Sequence, residues 1–262
     1  MNIAVKRRMT LESALRRAVM QKDFVLHYQP QINLESGEII AVEALVRWKT
    51  EDSGTVMPGD FIPLAEETGL ILGIGEWVLR EACRWATFIG APSQNGGAGL
   101  QVAVNLSPRQ FNDPKLGQMV AQVLQETGLP PSLLEIEITE TLAMTHSEAA
   151  LSTLKKLKKL GVSIAIDDFG TGYSSLAYLK RFPVDKIKID RTFVAEAPID
   201  ADQAAIVSAI VALAHALQIK VIGEGVESDQ QGDLLRRVGC DYMQGFLVGR
   251  PLDADGAAKD YV

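Results

Sequence analysis

The chain reads as an α/β protein built as a (β/α)8 TIM barrel, modified in its first strand, and three observations predict this. Eight apolar or alternating segments bounded by turn residues recur along 262 residues, helical patterns separate most of them, and no Ser/Pro-rich linker or charge run divides the chain. The strand candidates are Phe24 to Gln29, Ile39 to Trp48, Leu100 to Asn105, Leu134 to Ile138, Val162 to Asp167, Lys186 to Asp190, Lys220 to Glu224 and Tyr242 to Leu247. A helix over Leu11 to Met20 opens the domain. Apolar residues at three- and four-residue spacing predict further helices over Glu76 to Phe88, Lys115 to Glu126, Glu148 to Leu160, Ala201 to Leu217 and Asp229 to Val238. The first two strands are joined only by Ile32 to Glu38, with Ser36-Gly37 as a turn signal. That is too short for a helical crossover, so the first strand is expected to run antiparallel to the second.

A composition of 47% apolar and 23% charged residues is that of an ordinary globular protein with a substantial core. The net charge of -7 argues against duplex nucleic acid or anionic lipid as a partner, while leaving room for a locally basic pocket that takes a small anion. Met1 to Arg8 lacks the apolar core of a signal peptide, and Cys83 and Cys240 are too few for a disulfide framework, so a cytoplasmic location is expected. The most hydrophobic stretch, Ala204 to Leu217, is interrupted by Ser208 and His215 and is too short to span a bilayer. It is expected to be a helix buried on most sides. Residues 1–10 are expected to be a linker, and residues 11–262 the domain itself.

Residues two apart on a strand share a face, which sharpens the expectation. Val102 and Val104 oppose Gln101, Ala103 and Asn105; Ile136 and Ile138 oppose Glu135 and Glu137; Ile164 and Ile166 oppose Ser163, Ala165 and Asp167; Ile187 and Ile189 oppose Lys186, Lys188 and Asp190. If the branched apolar residues face the helices, the barrel interior is polar and acidic near the carboxyl ends of its strands, where barrel enzymes place their chemistry. The pair Asp167-Asp168, followed at once by Phe169-Gly170-Thr171-Gly172, fits this. Adjacent carboxylates repel one another, and hard divalent cations prefer such oxygen ligands. Two such ions about 3.5–4 Å apart can clamp the attacking and leaving oxygens of a phosphodiester.

Polar residues at or near the strand ends are Glu43, Asn105, Glu137, Asp167, Asp168, Lys188 and Glu224, a set of oxygen ligands with one cation. Around them stand Tyr28-Gln29-Pro30, Glu43-Ala44-Leu45-Val46-Arg47-Trp48, Phe61-Ile62-Pro63-Leu64-Ala65-Glu66, Asn105-Leu106-Ser107 and Glu137-Ile138-Thr139-Glu140. The Asp167-to-Gly172 loop, Lys186-Ile187-Lys188-Ile189-Asp190, Glu224-Gly225-Val226-Glu227 and Gln244-Gly245-Phe246 follow. Together, from about Leu11 to Leu252, they resemble the EAL-domain family, the cyclic di-GMP phosphodiesterases. The resemblance implies a barrel with an antiparallel first strand, two Mg2+ or Mn2+ ions, and hydrolysis of one bond of cyclic di-GMP to linear pGpG. By position it implies Glu43, Asn105, Glu137 and Asp167 at one metal, with Asp167 bridging to a second that Asp168 and Glu224 also serve. Glu224 becomes a candidate proton acceptor, and Lys188 orients the attacking water and offsets charge at phosphorus. Gln29, Arg47, Glu227 and Gln244 are the implied substrate contacts, and Glu140 the brace of the loop after Asp168. Arg47 suits this chemically, because a guanidinium can donate two parallel hydrogen bonds to a phosphate.

Two other readings stand beside this one. A catalytically silent cyclic di-GMP binding module would have lost metal positions that this chain keeps. A glycosidase using Glu135 and Glu137 would need carboxylates flanking a bond, whereas these point the same way from one strand. The resemblance also implies a homodimer, formed through the loop after Asp168 and the helix beyond it, although the apolar pattern of Ser174 to Phe182 does not distinguish dimer packing from barrel packing. Because the sequence opens almost directly in the Leu11 to Met20 helix with no sensor region or cyclase signature, an upstream sensor or cyclase domain in a longer parent protein is expected. His27, His146 and His215 lack metal-ligand spacing. Lys155, Lys156, Lys158 and Lys159 read as a solvated helix face opposite Leu151, Leu154, Leu157 and Leu160, and Asn95 to Gly99 as a flexible connection.

Overall fold

A computed structural model describes residues 3–50, 54–90, 99–145, 147–172 and 176–261. Eight strands close a barrel: β1 (Phe24–Asn33), β2 (Ile39–Thr50), β3 (Gln101–Asn105), β4 (Leu134–Thr139), β5 (Ser163–Phe169), β6 (Lys186–Ile189), β7 (Lys220–Gly223) and β8 (Tyr242–Gln244). From β2 to β8 neighbours pair in parallel in chain order, while β1 is antiparallel to both β2 and β8 and completes the ring. The antiparallel first strand expected from the short connection is therefore present. Asn33 makes its turn, since Oδ1 accepts from the backbone N–H of Glu35 at 2.8 Å and of Ser36 at 3.1 Å while Gly37 takes φ +75°. Short strands Gly54–Val56 and Leu252–Asp253 extend the sheet beside β2 and β1.

The two faces of each strand divide as their alternation dictates. Val102, Val104, Ile136, Ile138, Ile164, Ile166, Ile187 and Ile189 are buried in the layer between barrel and helices. Each such side chain contributes about 1.5–3 kcal/mol of transfer free energy. The opposite faces put Glu135, Glu137, Lys186 and Lys188 inside the barrel, all buried, together with Gln31 and Gln244. Ala103 and Ala165, both fully buried on the same side, leave space for the long charged side chains.

The helices over Ile71–Ile89, Leu116–Thr127, Ser147–Lys159, Ala201–Ala216 and Asp229–Arg237 lie where the spacing places them. The opening helix spans Ile3–Gln21 and so takes in most of the segment expected to be a linker. A further helix, Pro58–Thr68, has Pro58 in its first turn, where a missing N–H costs nothing, and Gly69 at φ +81° closing it. Helix Ala201–Ala216 corrects an expectation. Val207, Ile210, Val211 and Ala214 are buried, but Ala205, Ile206, Ala209 and Ala212 face outward. A helix on the outside of a barrel has one face to bury, and exposed alanine carries little penalty. Among the described residues no helix is long and apolar enough to cross a membrane.

Candidate active site

Because seven strands run parallel, their carboxyl ends converge on one face, and the chemistry-bearing residues meet there. Lys188 of β6 is wholly buried at the centre. Its Nζ lies 2.8 Å from Glu137 Oε2, 2.8 Å from Glu224 Oε1, 3.4 Å from Glu43 Oε2 and 3.5 Å from Asp167 Oδ1. Glu43 is held from three sides, since Asn105 Nδ2 donates to Oε1 at 2.6 Å and Gln244 Nε2 donates to Oε2 at 2.7 Å.

One ammonium cannot neutralise four carboxylates in so dry a place. Burial opposes the charge of Lys188, but Asp167, Glu137, Glu224 and Glu43 outweigh it and hold its pKa well above the ordinary lysine value. Burial also opposes ionisation of Glu43, and there the Lys188 ammonium and the Gln244 and Asn105 donors prevail, keeping its carboxyl below its usual value. Glu137 goes the other way, raised well above it by burial and by its acidic neighbours despite Lys188. Glu224 is pushed up to about 8 by burial, with Asp167 and Glu43 adding repulsion against the pull of Lys188. The cluster is a centre short of positive charge.

Asp167 and Asp168 reach this centre by different means. Asp167 points inward by strand alternation, in line with Ser163 and Ala165. Asp168 would point outward on a regular strand. Instead the β5–β6 register shifts between Ile166 and Phe169, and Asp168 takes φ +54°, with its N–H donating to Asp167 Oδ1 at 2.9 Å. This irregularity brings both carboxylates to the same side. Oxygens of Asp167, Asp168 and Glu224 then lie within 4.8 Å of one another. Glu137 Oε1 is buried without a hydrogen-bond donor among the described residues. A cluster of hard oxygen donors, one of them orphaned, fits a divalent cation.

The loop after Asp168 is held from below. Glu140, fully buried, accepts at Oε2 from the N–H of Gly170 at 2.8 Å and of Gly172 at 3.3 Å. Gly170 takes φ +101°, and a Cβ there would lie 2.7 Å from the Phe193 ring. Glu140→Ala should therefore loosen the loop and lower Mn2+ affinity about tenfold or more, as loss of a ligand-supporting bond does. A Mn2+ titration followed by electron paramagnetic resonance checks this, and unchanged affinity would remove Glu140 from the site.

A cleft of about 640 Å³ opens onto the centre, lined by Gln29, Glu43, Asp168, Glu224, Glu227 and Gln244 among others. Arg47 is buried on the same face of β2 as Glu43, donates from Nη1 to the carbonyl of Val46 at 2.9 Å, and is absent from the cleft lining. Asp190, Arg191, Thr192 and Phe246 line the cleft without having been singled out as site residues. Asp190 and Phe246 end two of the motifs already quoted, whereas the signal of Arg191 and Thr192 is position, just past the carboxyl end of β6. Glu135 is buried deeper and ion-paired with Lys186 at 2.9 Å, which removes the surface a glycosidase acid would need. His215 pairs with Asp241 at 2.8 Å, and Lys158 with Asp185 at 2.8 Å, both away from the cleft. His146, residues 95–98 and residues 174–175 lie outside the described residues.

Fold and site together define a (β/α)8-type barrel whose strand ends form an acidic cleft able to hold a divalent cation. The chain belongs to the EAL domain family, whose family model matches residues 12–251. It is 48% identical over 259 residues to the bifunctional diguanylate cyclase/cyclic di-GMP phosphodiesterase MucR of Pseudomonas aeruginosa, covering 97% of this chain and 37% of that protein. It is 41% identical to the cyclic di-GMP phosphodiesterase PdeR of Escherichia coli, covering 97% of this chain and 38% of that one. The chain thus spans little more than a third of the length of these relatives. Among solved structures, the PaMucR phosphodiesterase in complex with c-di-GMP superposes with a TM-score of 0.89 at 49% identity, over 94% of this chain and 99% of that one.

Proposed function

We propose that this chain hydrolyses one phosphodiester bond of cyclic di-GMP to give linear pGpG, using two Mg2+ or Mn2+ ions. The observation that carries the reading is the charge-deficient centre itself: Glu43, Glu137, Asp167 and Glu224 around one buried ammonium, with Asp168 at the rim. Relatives at 41–48% identity are cyclic di-GMP phosphodiesterases by name, which supports the same substrate. Glu43, Asn105, Glu137 and Asp167 would hold one ion, and Asp167, Asp168 and Glu224 the other. Bound there, such ions supply an activated water and neutralise phosphate charge.

The chain's own residues do the rest. Lys188 keeps Glu137 and Glu224 oriented and places a fixed positive charge where the phosphoryl oxygens gain negative charge. Glu224 would serve as proton acceptor only as the ionised carboxylate, the form left once a cation has displaced the proton that burial favours. Arg47 would offer its guanidinium to a phosphate, and Gln29, Gln244 and Glu227, which line the cleft, would present amide and carboxylate groups to the nucleotide. A silent binding module has no use for every acid of this cluster. Because the relatives are longer, the reading includes an upstream sensor or cyclase domain as partner, and a homodimer that sedimentation with metal and nucleotide would reveal.

Incubation of the chain with cyclic di-GMP and Mg2+, Mn2+ or EDTA tests the proposal. Metal-dependent pGpG on ion-pair chromatography supports it; nucleotide that binds yet stays uncut assigns the chain to the sensor class. A second expectation concerns protons. At neutral pH the Glu224 carboxyl is mostly protonated, and a cation displaces that proton, so Mn2+ affinity should rise with pH and level off above about 8. Calorimetry in buffers of different ionisation enthalpy should find about one proton released per site at pH 7. Affinity that is flat across this range would contradict it.

A further inference from the structure

Beneath the Lys188 centre lies a second charged tier that the proposed chemistry does not use. Lys186 Nζ, almost fully buried, donates to Glu135 Oε1 at 2.9 Å and to Gln31 Oε1 at 3.3 Å. Gln31 Nε2 donates to Gln244 Oε1 at 2.9 Å. Gln244 Nε2 donates to Glu43 Oε2 at 2.7 Å and to Gln29 Oε1 at 3.2 Å, and Gln29 Nε2 donates to the carbonyl of Gly249 at 3.1 Å. Gln31, Gln244 and Glu43 are buried, so none of these bonds is readily exchanged for one to water.

The chain of bonds has a direction, and its ends set it. An ammonium can only donate, and a carboxylate can only accept. Between Lys186 and Glu43 stand two amides, each of which could turn over by 180°. Only one arrangement satisfies every link: Lys186 to the oxygen of Gln31, the nitrogen of Gln31 to the oxygen of Gln244, and the nitrogen of Gln244 to Glu43. Turning over either amide sets two donors or two acceptors against each other in a buried place. Resting on the phosphodiesterase reading for its consequence, we infer that Lys186 is a positioning residue. Held by Glu135, it fixes through Gln31 which end of Gln244 faces Glu43 and Gln29, and so orients a candidate metal ligand and the nucleotide-facing amides from a tier below the cleft.

Two variants separate this from simple structural support. Lys186→Met with Glu135→Met replaces a buried ion pair by apolar side chains of similar length, a change that is often neutral or stabilising. Gln31→Met cuts the relay while leaving the ion pair in place. In both, the full chain should still unfold cooperatively, while Mn2+ affinity without nucleotide, followed by electron paramagnetic resonance, weakens about tenfold. The Gln244 side-chain amide resonance, assigned by comparison with Gln244→Leu, should shift in both. With cyclic di-GMP, kcat should fall about tenfold while KM moves far less. Unchanged Mn2+ affinity together with an unshifted Gln244 resonance in Gln31→Met would overturn the inference. A double variant that fails to fold leaves Gln31→Met to decide. Wild-type chain that does not cleave cyclic di-GMP would refute the phosphodiesterase reading alone, because the Mn2+ and amide measurements need no turnover.

Discussion

Asp167→Ala is expected to reduce metal-dependent cleavage of cyclic di-GMP to about a thousandth of the wild-type rate or less, a loss of about 4 kcal/mol of transition-state stabilisation. Asp167 links the Lys188 centre to Asp168 and its loop. Its Oδ1 lies 3.5 Å from the Lys188 ammonium, accepts the Asp168 N–H at 2.9 Å, and belongs to the oxygen cluster with Asp168 and Glu224. Its removal takes away a ligand common to both proposed ions. Asp167→Asn separates the two roles, because an amide oxygen still accepts the Asp168 N–H and keeps the loop in place. It should therefore lose nearly as much activity as alanine while its loop stays as protected from proteolysis as in the wild type. Single-turnover assays at saturating Mn2+ provide the measurement, and hydrolysis at the wild-type rate would remove Asp167 from the chemistry.

Lys188→Met should have the largest effect on stability. The variant leaves Glu43, Glu137, Asp167 and Glu224 without the cation they share, and breaking a buried ion pair from one side costs about 3–5 kcal/mol. Some of that loss is recovered by protonation, which fixes the sign of the pH dependence. Carboxyls whose folded pKa lies above the unfolded value bind more protons when folded, so their contribution is present at low pH and lost as pH rises through the folded pKa. Glu137 and Glu224 are already displaced upward in the wild type. The variant should thus be closest to wild type in mildly acidic solution and furthest from it above about pH 8. Millimolar Mg2+ should restore part of the difference, because divalent charge can stand in for the missing ammonium. Urea unfolding with EDTA and with Mg2+ reads both effects, and a deficit indifferent to pH and metal would mean that Lys188 is only a packed side chain.

The parity of branched apolar residues on β3 to β6 was enough to place Glu137, Asp167 and Lys188 inside the barrel, and the seven-residue connection Ile32 to Glu38 was enough to reverse β1. These are local facts, and periodicity carries them. Asp168 is different, since alternation sends it outward, and only the register shift and its left-handed backbone return it to the cleft. Its place in the predicted site rested on its adjacency to Asp167 and on family resemblance rather than on alternation, because the irregularity depends on how β5 and β6 pair. The lower tier was half legible. Glu135 and Lys186 fall on the inward face by parity, but their pairing across the barrel with Gln31 depends on the stagger between strands that no single segment encodes. The exposed face of Ala201–Ala216 was missed for a related reason: apolar content measures what a helix can bury, and the outside of a closed barrel limits how much it does bury.

The reversed direction of β1 also decides where the opening helix joins the barrel. In a barrel with every strand parallel, the first strand starts at the end opposite the chemistry. Here Phe24 pairs with Trp48 at the cleft end of β2, so the junction from helix Ile3–Gln21 through Lys22, at φ +61°, and Asp23 arrives at the rim of the site. Asp23 is tied there at both ends, its N–H donating to the Ala18 carbonyl at 3.1 Å and its carbonyl accepting from Lys49 at 2.8 Å. Three residues along β2 from Trp48 towards the barrel lies Leu45, and two further on, Glu43. The opening helix is thus joined to the barrel at the cleft end of the strand that carries Glu43, five residues along β2 from Trp48.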